Sequence, residues 1–323
     1  MRIHSSVLIA AAGSLLALTA CSSDADSASG TRIVASSYPF AYVAEQVGGD
    51  AVDVENLTSP GVEPHDLELA PKQVAAVQDA DLAVFETGFQ PAVDDAVEEA
   101  DLSDDASLDV ADVVTLRESE EGHDHEHAEE GDDHEHEDES EHEGDDHDHG
   151  GLDPHVWLDP TNMIAIADAT AERLAEIDPD NADTFEANAR DFGKRLRALD
   201  KQYETGLANC ERSTIVTSHE AFGYLAARYD LEQVGIAGLD PGSEPSPEQL
   251  ADITDLVRKD GITTIFTEEL VSPAVAETVA DETGADVATL DPIEGLSDDT
   301  ANETYVSLME QNLDALKEAN GCR

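Results

Sequence analysis

The chain has 323 residues, with 75 Asp and Glu against 16 Lys and Arg, for a formal net charge of −59. Aromatic residues make up only 4% of it, so any core must be built mainly from Ala, Val, Leu and Ile. The length predicts two domains, and the acidic field excludes sequence-independent binding to nucleic acid while attracting cations.

Residues 1–21 read as an export signal. Arg2 opens a short positive region and residues 7–18 are largely apolar, too short to cross a bilayer core that needs roughly 20 residues. The run Leu18-Thr19-Ala20-Cys21 resembles the lipobox of bacterial lipoproteins, which makes Cys21 the expected lipidated N-terminus of an exported protein held at the outer face of the cell membrane. Residues 22–30 (SSDADSASG) are expected to be a flexible tether.

From residue 31 onward, short β-branched runs such as Arg32-Ile33-Val34-Ala35 and Leu82-Ala83-Val84-Phe85 alternate with helical stretches such as residues 71–79. That alternation predicts βα units on a parallel sheet, an N-terminal lobe spanning residues 31–158. Inside it, residues 118–150 hold 18 Asp or Glu and 8 His with no Lys or Arg. Such a segment has no apolar surface to bury and is expected to be a disordered loop. Residues 159–209 read as helical. Phe185, Ala189, Phe192, Leu196, Leu199, Tyr203 and Leu207 recur at steps of three and four, keeping one apolar stripe along a helix of roughly 28 residues. Residues 210–323 form a second βα lobe, with strands expected at 214–217, 262–266 and 287–290 and a helix at 247–259. The fold class is therefore α/β, two lobes with parallel sheets and a long, stiff connecting helix between them.

With Cys21 assigned to lipid, Cys210 and Cys322 remain as a single pair in an oxidising compartment, which predicts a disulfide. Closing a loop of that length stabilises a fold by roughly 4–5 kcal/mol in the chain-entropy picture.

The histidines carry the chemistry. Of twelve, His4 lies in the signal and eight lie in the acidic loop: His123, His125, His127, His134, His136, His142, His147 and His149. The other three are His65, His155 and His219. His219 directly follows an expected strand, His65 follows a strand and a Ser59-Pro60-Gly61 turn, and His155 sits in an irregular stretch entering a helix. Ligands of open parallel sheets bind beyond the carboxyl ends of strands, and Asp291 follows the 287–290 strand in the same way.

The runs Gly61-Val62-Glu63-Pro64-His65-Asp66, Asp153-Pro154-His155-Val156-Trp157-Leu158-Asp159-Pro160 and Ser218-His219-Glu220-Ala221-Phe222-Gly223-Tyr224 resemble those of the metal-binding solute receptors of ABC transporters. Residues 239–247 and Leu290-Asp291-Pro292 match the same family. The resemblance spans roughly residues 31–320. It implies two lobes with a metal in the cleft between them, held by His65, His155, His219 and Asp291, and it implies a membrane permease and an ATPase as partners of a monomeric receptor. In some zinc members of the family the fourth partner is water or a Glu beside the first His; Pro64 occupies that place here, which favours Asp291. An acidic, His-rich insertion before the second His motif also belongs to the zinc branch, and its eight imidazoles are expected to bind metal weakly.

Three imidazoles and one carboxylate suit Zn²⁺ in tetrahedral geometry, whereas Mn²⁺ favours a more oxygen-rich set. The expected function is capture of Zn²⁺ for delivery to an ABC permease, with a manganese receptor of the same class as the alternative. Two other classes compete: a zinc hydrolase or lyase, since three His with an open position also describes catalytic zinc, and a surface adhesin. No H-E-x-x-H run occurs, and a fourth protein ligand would leave no metal-bound water to activate.

Overall fold

The computed structural model describes residues 30–118 and 151–323. The signal, Cys21, the tether up to residue 29 and the eight loop histidines lie outside the described residues.

The N-terminal lobe runs β1 (Thr31–Ala35), α1 (Tyr38–Gly48), β2 (Val52–Asn56), α2 (Pro71–Gln78), β3 (Leu82–Phe85), α3 (Pro91–Ala100) and β4 (Ser107–Asp109). Its four strands are parallel, in the order β2-β1-β3-β4, with Ile33 registered against both Val54 and Leu82. A short antiparallel ribbon follows, β5 (Arg117–Glu118) against β6 (Leu152–Asp153). Two antiparallel helices come next, α4 (Pro160–Ile177) and α5 (Ala182–Leu207).

The C-terminal lobe comprises β7 (Thr214–Thr217), α6 (Gly223–Arg228), β8 (Glu232–Gly235), α7 (Pro247–Asp260), β9 (Thr264–Thr267), α8 (Ala274–Thr283), β10 (Asp286–Thr289) and α9 (Tyr305–Asn320). Its sheet, β10-β9-β7-β8, is also parallel. Counted from the first strand of each lobe, the two sheets have the same order.

Helix starts follow from local chemistry. α2, α3, α4 and α7 each begin on a proline, whose fixed φ suits the first turn and whose missing N–H would have had no partner there. Ser246 and Thr304 cap α7 and α9 through their hydroxyls. The β9 strand starts at Thr264 rather than at the expected Ile262. Gly261 ends α7 at φ +66°, and the Ile262 N–H bonds back to the Val257 carbonyl, so the residues after the helix close its end before the strand begins.

Successive strand residues face opposite ways, and each sheet divides its side chains accordingly. Val34, Ala83 and Phe85 pack on an outer cluster of the first lobe, and Val216 and Ile265 on an outer cluster of the second. Ile33, Ala35, Leu82, Val84, Ile215 and Phe266 instead join one continuous core that includes α1, α4, α5 and α9. The apolar stripe of the 26-residue α5 is buried in that core along its whole length, from Phe185 to Leu207. The long helix is therefore more than a strut between lobes, since it forms the floor of a core that the two lobes share. Trp157, fully buried, ties the lobes further: its ring meets Phe40 and Phe89, its indole N–H donates to the Pro292 carbonyl at 2.7 Å, and its own carbonyl accepts from the Tyr305 hydroxyl at 2.6 Å.

Cys210 and Cys322 form a disulfide that ties the C-terminus to the start of the second lobe. Backbone bonds flank it, from Glu211 and Arg212 to the Asn320 carbonyl and from Arg323 to the Asn209 carbonyl. Replacing Cys322 by Ser is expected to lower unfolding stability by about 2–5 kcal/mol. Urea denaturation of wild type and Cys322→Ser measures the difference, and equal midpoints would remove this role from the bridge.

Candidate metal centre

The loops that leave the carboxyl ends of the strands meet at the junction of the lobes. His65 lies on the loop after β2, His155 follows β6, His219 lies two residues beyond β7, and Glu294 lies on the loop after β10. One ligand atom from each of these four side chains lies within 4.8 Å of every other. His155 and His219 are fully buried and Glu294 is 2% exposed.

Each imidazole is oriented by its neighbours. Asp153 Oδ1 accepts both the His155 backbone N–H at 3.0 Å and a bond from its Nδ1 at 2.8 Å. Glu268, which directly follows β9, does the same for His219, at 3.1 Å to the backbone and 2.7 Å to Nδ1. With Nδ1 held as donor, the Nε2 lone pair of each ring points to the centre, the arrangement that carboxylates impose on metal-binding histidines. His65 is fixed by its backbone N–H on Glu63 Oε1 at 3.1 Å and by edge-on packing of its ring against Phe89. The preceding turn closes through Gly61, whose φ of +79° needs glycine and whose N–H reaches the Leu296 carbonyl of the other lobe at 2.7 Å.

Four of the six donor–donor distances lie close to the edge of a zinc tetrahedron. Glu294 Oε1 lies 3.1 Å from His155 Nε2, 3.2 Å from His219 Nε2 and 3.6 Å from His65 Nε2, and the His155 and His219 Nε2 atoms are 3.3 Å apart. Four donors placed tetrahedrally at 2.0–2.1 Å from a zinc ion stand about 3.3 Å from one another. Neither Glu294 Oε1 nor His65 Nε2 has a hydrogen-bond partner, although both are buried. Buried polar atoms without partners are rare and call for a ligand. A cation at the centre would supply it.

Charge agrees with this. Burial lowers the pKa of His65. Burial would lower His155 and His219 too, but Asp153, Glu268 and Glu294 overcome it and raise the former and, strongly, the latter. Burial opposes ionisation of Glu294, yet its contacts with His155, His219 and His65 hold it well below the usual carboxylate range. Around this centre stand further acids, with Glu63 pushed up to about 8 by burial and by Glu294, and Glu86 pushed well above its usual range by burial and by Asp153, Asp109 and Asp94. Glu63 and Glu86 are thus pushed toward their neutral forms, while Glu294 is held ionised against the three imidazoles, an arrangement suited to a divalent cation.

The structure thus brings His65, His155 and His219 together, and with them Glu294 rather than Asp291. Asp291 is taken up by the loop itself: its Oδ1 accepts the Ile293 N–H at 2.7 Å, and its carboxyl is raised to about 7 by burial. Two residues separate the two acids, and the direction of the chain between them is not legible in the sequence. The available signal was a second acid, Glu294, enclosed in the otherwise apolar run Pro292-Ile293-Glu294-Gly295-Leu296.

Two predictions follow from this geometry. A Cβ at Gly223, the first residue of α6, would fall on Asp153 Oδ2, the acid that holds His155. Alanine is otherwise the better helix former, so Gly223→Ala is expected to spare the helix and weaken metal binding by about 10–100-fold through the displaced acid, as read by competition with a chelator. Unchanged affinity would show that the acid has room to move. The second concerns pH. Raised His155 and His219 hold protons above the ordinary imidazole value of about 6.5, and metal binding must displace them. Affinity is therefore expected to fall as pH drops from 8 to 6, with net proton release near neutrality, measured by calorimetry in buffers of different ionisation enthalpy.

Residues 33–319 match the family described as zinc-uptake complex component A, periplasmic. A zinc-binding lipoprotein, AdcA, of Streptococcus pneumoniae is 38% identical over 309 residues, covering 94% of this chain and 58% of the relative, so the chain spans a little over half of that protein's length. The high-affinity zinc uptake system protein ZnuA of Bacillus subtilis is 35% identical over 295 residues, 89% of this chain and 87% of the relative. The crystal structure of the Zn(II)-bound ZnuA-like domain of the pneumococcal AdcA superposes with a TM-score of 0.72 at 35% identity, covering 90% of this chain and 99% of that one. Among the described residues no helix is long and apolar enough to cross a membrane. By the match over residues 33–319 and by a likeness covering 87% of the Bacillus protein, the chain belongs to the family of periplasmic zinc-uptake components.

Proposed function

We propose that the protein captures one Zn²⁺ between its lobes through His65, His155, His219 and Glu294, and hands it to the permease and ATPase of an ABC transporter. The observation that carries this reading is the convergence of four donors within 4.8 Å of one another, with Glu294 Oε1 at 3.1 to 3.6 Å from each imidazole and the His155 and His219 nitrogens 3.3 Å apart, near the edge of a zinc tetrahedron. Three nitrogens and one oxygen favour zinc over manganese, which prefers oxygen-rich sets. Four protein donors also close the coordination sphere. An ion held this way has no bound water to activate, so the site serves capture and not hydrolysis.

Export and lipid anchoring through Cys21 complete the proposal: the receptor works at the outer face of the membrane, where the Cys210–Cys322 bridge persists. The loop histidines serve as weak auxiliary sites that raise the local zinc concentration and contribute nothing to the tight centre.

Isothermal titration is expected to show one tight zinc per chain, with further weak sites that vanish when residues 119–150 are deleted. Glu294→Gln and His219→Ala are each expected to weaken the tight site by more than the roughly 10–100-fold of an outer-shell change, because each removes a direct metal bond. Undiminished tight binding in His219→Ala would overturn the assignment.

A further inference from the structure

Three non-glycine residues among those described have a positive φ: Asp101, Asp230 and Ile293. Asp101 ends α3 and Asp230 lies just beyond α6, and Asp tolerates the left-handed region. Ile293, at φ +59°, is different. A β-branched side chain meets steric resistance there and does not adopt this conformation without being held in it.

The surroundings of Ile293 hold it from two directions. Its side chain is fully buried in the core that the lobes share. Its N–H is accepted by Asp291 Oδ1 at 2.7 Å. Asn312, on α9, grips Asp291 at both backbone groups, accepting its N–H at 2.9 Å and donating to its carbonyl at 2.6 Å. Between them, the Pro292 carbonyl is taken by the Trp157 indole N–H at 2.7 Å. The next residue in the chain is Glu294.

We propose that Asp291 and Asn312 are positioning residues for metal capture, forming with Trp157 a clamp that keeps Ile293 in its left-handed conformation and thereby aims Glu294 Oε1 at the three imidazoles. This rests on the reading of Glu294 as a metal ligand. If Ile293 relaxed to an ordinary negative φ, the chain would leave the turn in another direction and the carboxylate would be carried away from the centre. Asp291 thus acts on the metal through the backbone, three residues upstream of the donor.

The test uses zinc affinity together with Co²⁺ as a spectroscopic probe, whose visible absorption is strong in four-coordinate sites and weak in five- or six-coordinate ones. Asp291→Ala is expected to weaken zinc about 10–100-fold and to move the Co²⁺ spectrum toward that of Glu294→Gln. Asp291→Asn keeps an acceptor oxygen for the Ile293 N–H and is expected to restore both. Combining Asp291→Ala with Ile293→Gly is expected to recover affinity, since glycine adopts positive φ without steric cost, while lowering the melting temperature by removing a buried side chain. A residue that served stability alone would not move affinity and melting temperature in opposite directions. Asp291→Ala with wild-type affinity and spectrum, or a double variant weaker in affinity than the single one, would overturn the clamp. If Asp291→Ala fails to fold, Asn312→Ala, which removes only the two bonds from α9, carries the same test. Should Glu294→Gln itself leave zinc binding and the Co²⁺ spectrum unchanged, the ligand reading falls and the clamp with it. A weakened Glu294→Gln beside an unaffected Asp291→Ala rejects the clamp alone.

Discussion

Glu294 Oε1 sits 3.1 to 3.6 Å from three imidazole nitrogens, buried and without a hydrogen-bond partner. A carboxylate desolvated in this way is costly unless positive charge faces it, and the surrounding structure serves to keep that arrangement intact. Asp153 and Glu268 turn two rings so that their Nε2 lone pairs converge with Glu294 Oε1 on one centre. Phe89 stands edge-on against the third ring. Three imidazoles and a carboxylate so close together in one dry pocket form a group that could hold a metal ion.

The fold supplies this pocket twice over. Both sheets share one strand order, and each places its chain crossings so that the loops after its strands open toward the other lobe. Glu268 and Glu86 hold corresponding places, each directly after the third strand of its lobe. One of them orients a ligand. The other is buried beside Asp153, the acid that orients the second ligand, and is pushed toward its neutral form by burial and by that neighbour.

Between the lobes there is an apolar core and not a slender hinge. α5 buries its stripe beneath both sheets, and Trp157 hydrogen-bonds to the carbonyl of Pro292 across the junction. Well-packed interiors deform little, so the ligand set is presented nearly ready-made.

Much of this was legible in the sequence for a plain reason: it depends on neighbours close along the chain. The strand at 214–217, the stripe of α5 and the start of α7 are local patterns, and His65, His155 and His219 stand out because so few histidines lie outside the acidic loop. Composition and compartment likewise sufficed to pair Cys210 with Cys322. Tertiary structure alone decided which acid faces the imidazoles. Asp291 and Glu294 are equivalent as chemistry, and what separates them is the direction of the chain through Ile293, set by Asn312 from α9 and Trp157 from the other side of the cleft, 21 and 135 residues away from the atoms they hold. A backbone conformation that local sterics oppose has to be imposed from a distance, and such contacts leave no periodicity in the sequence to be read.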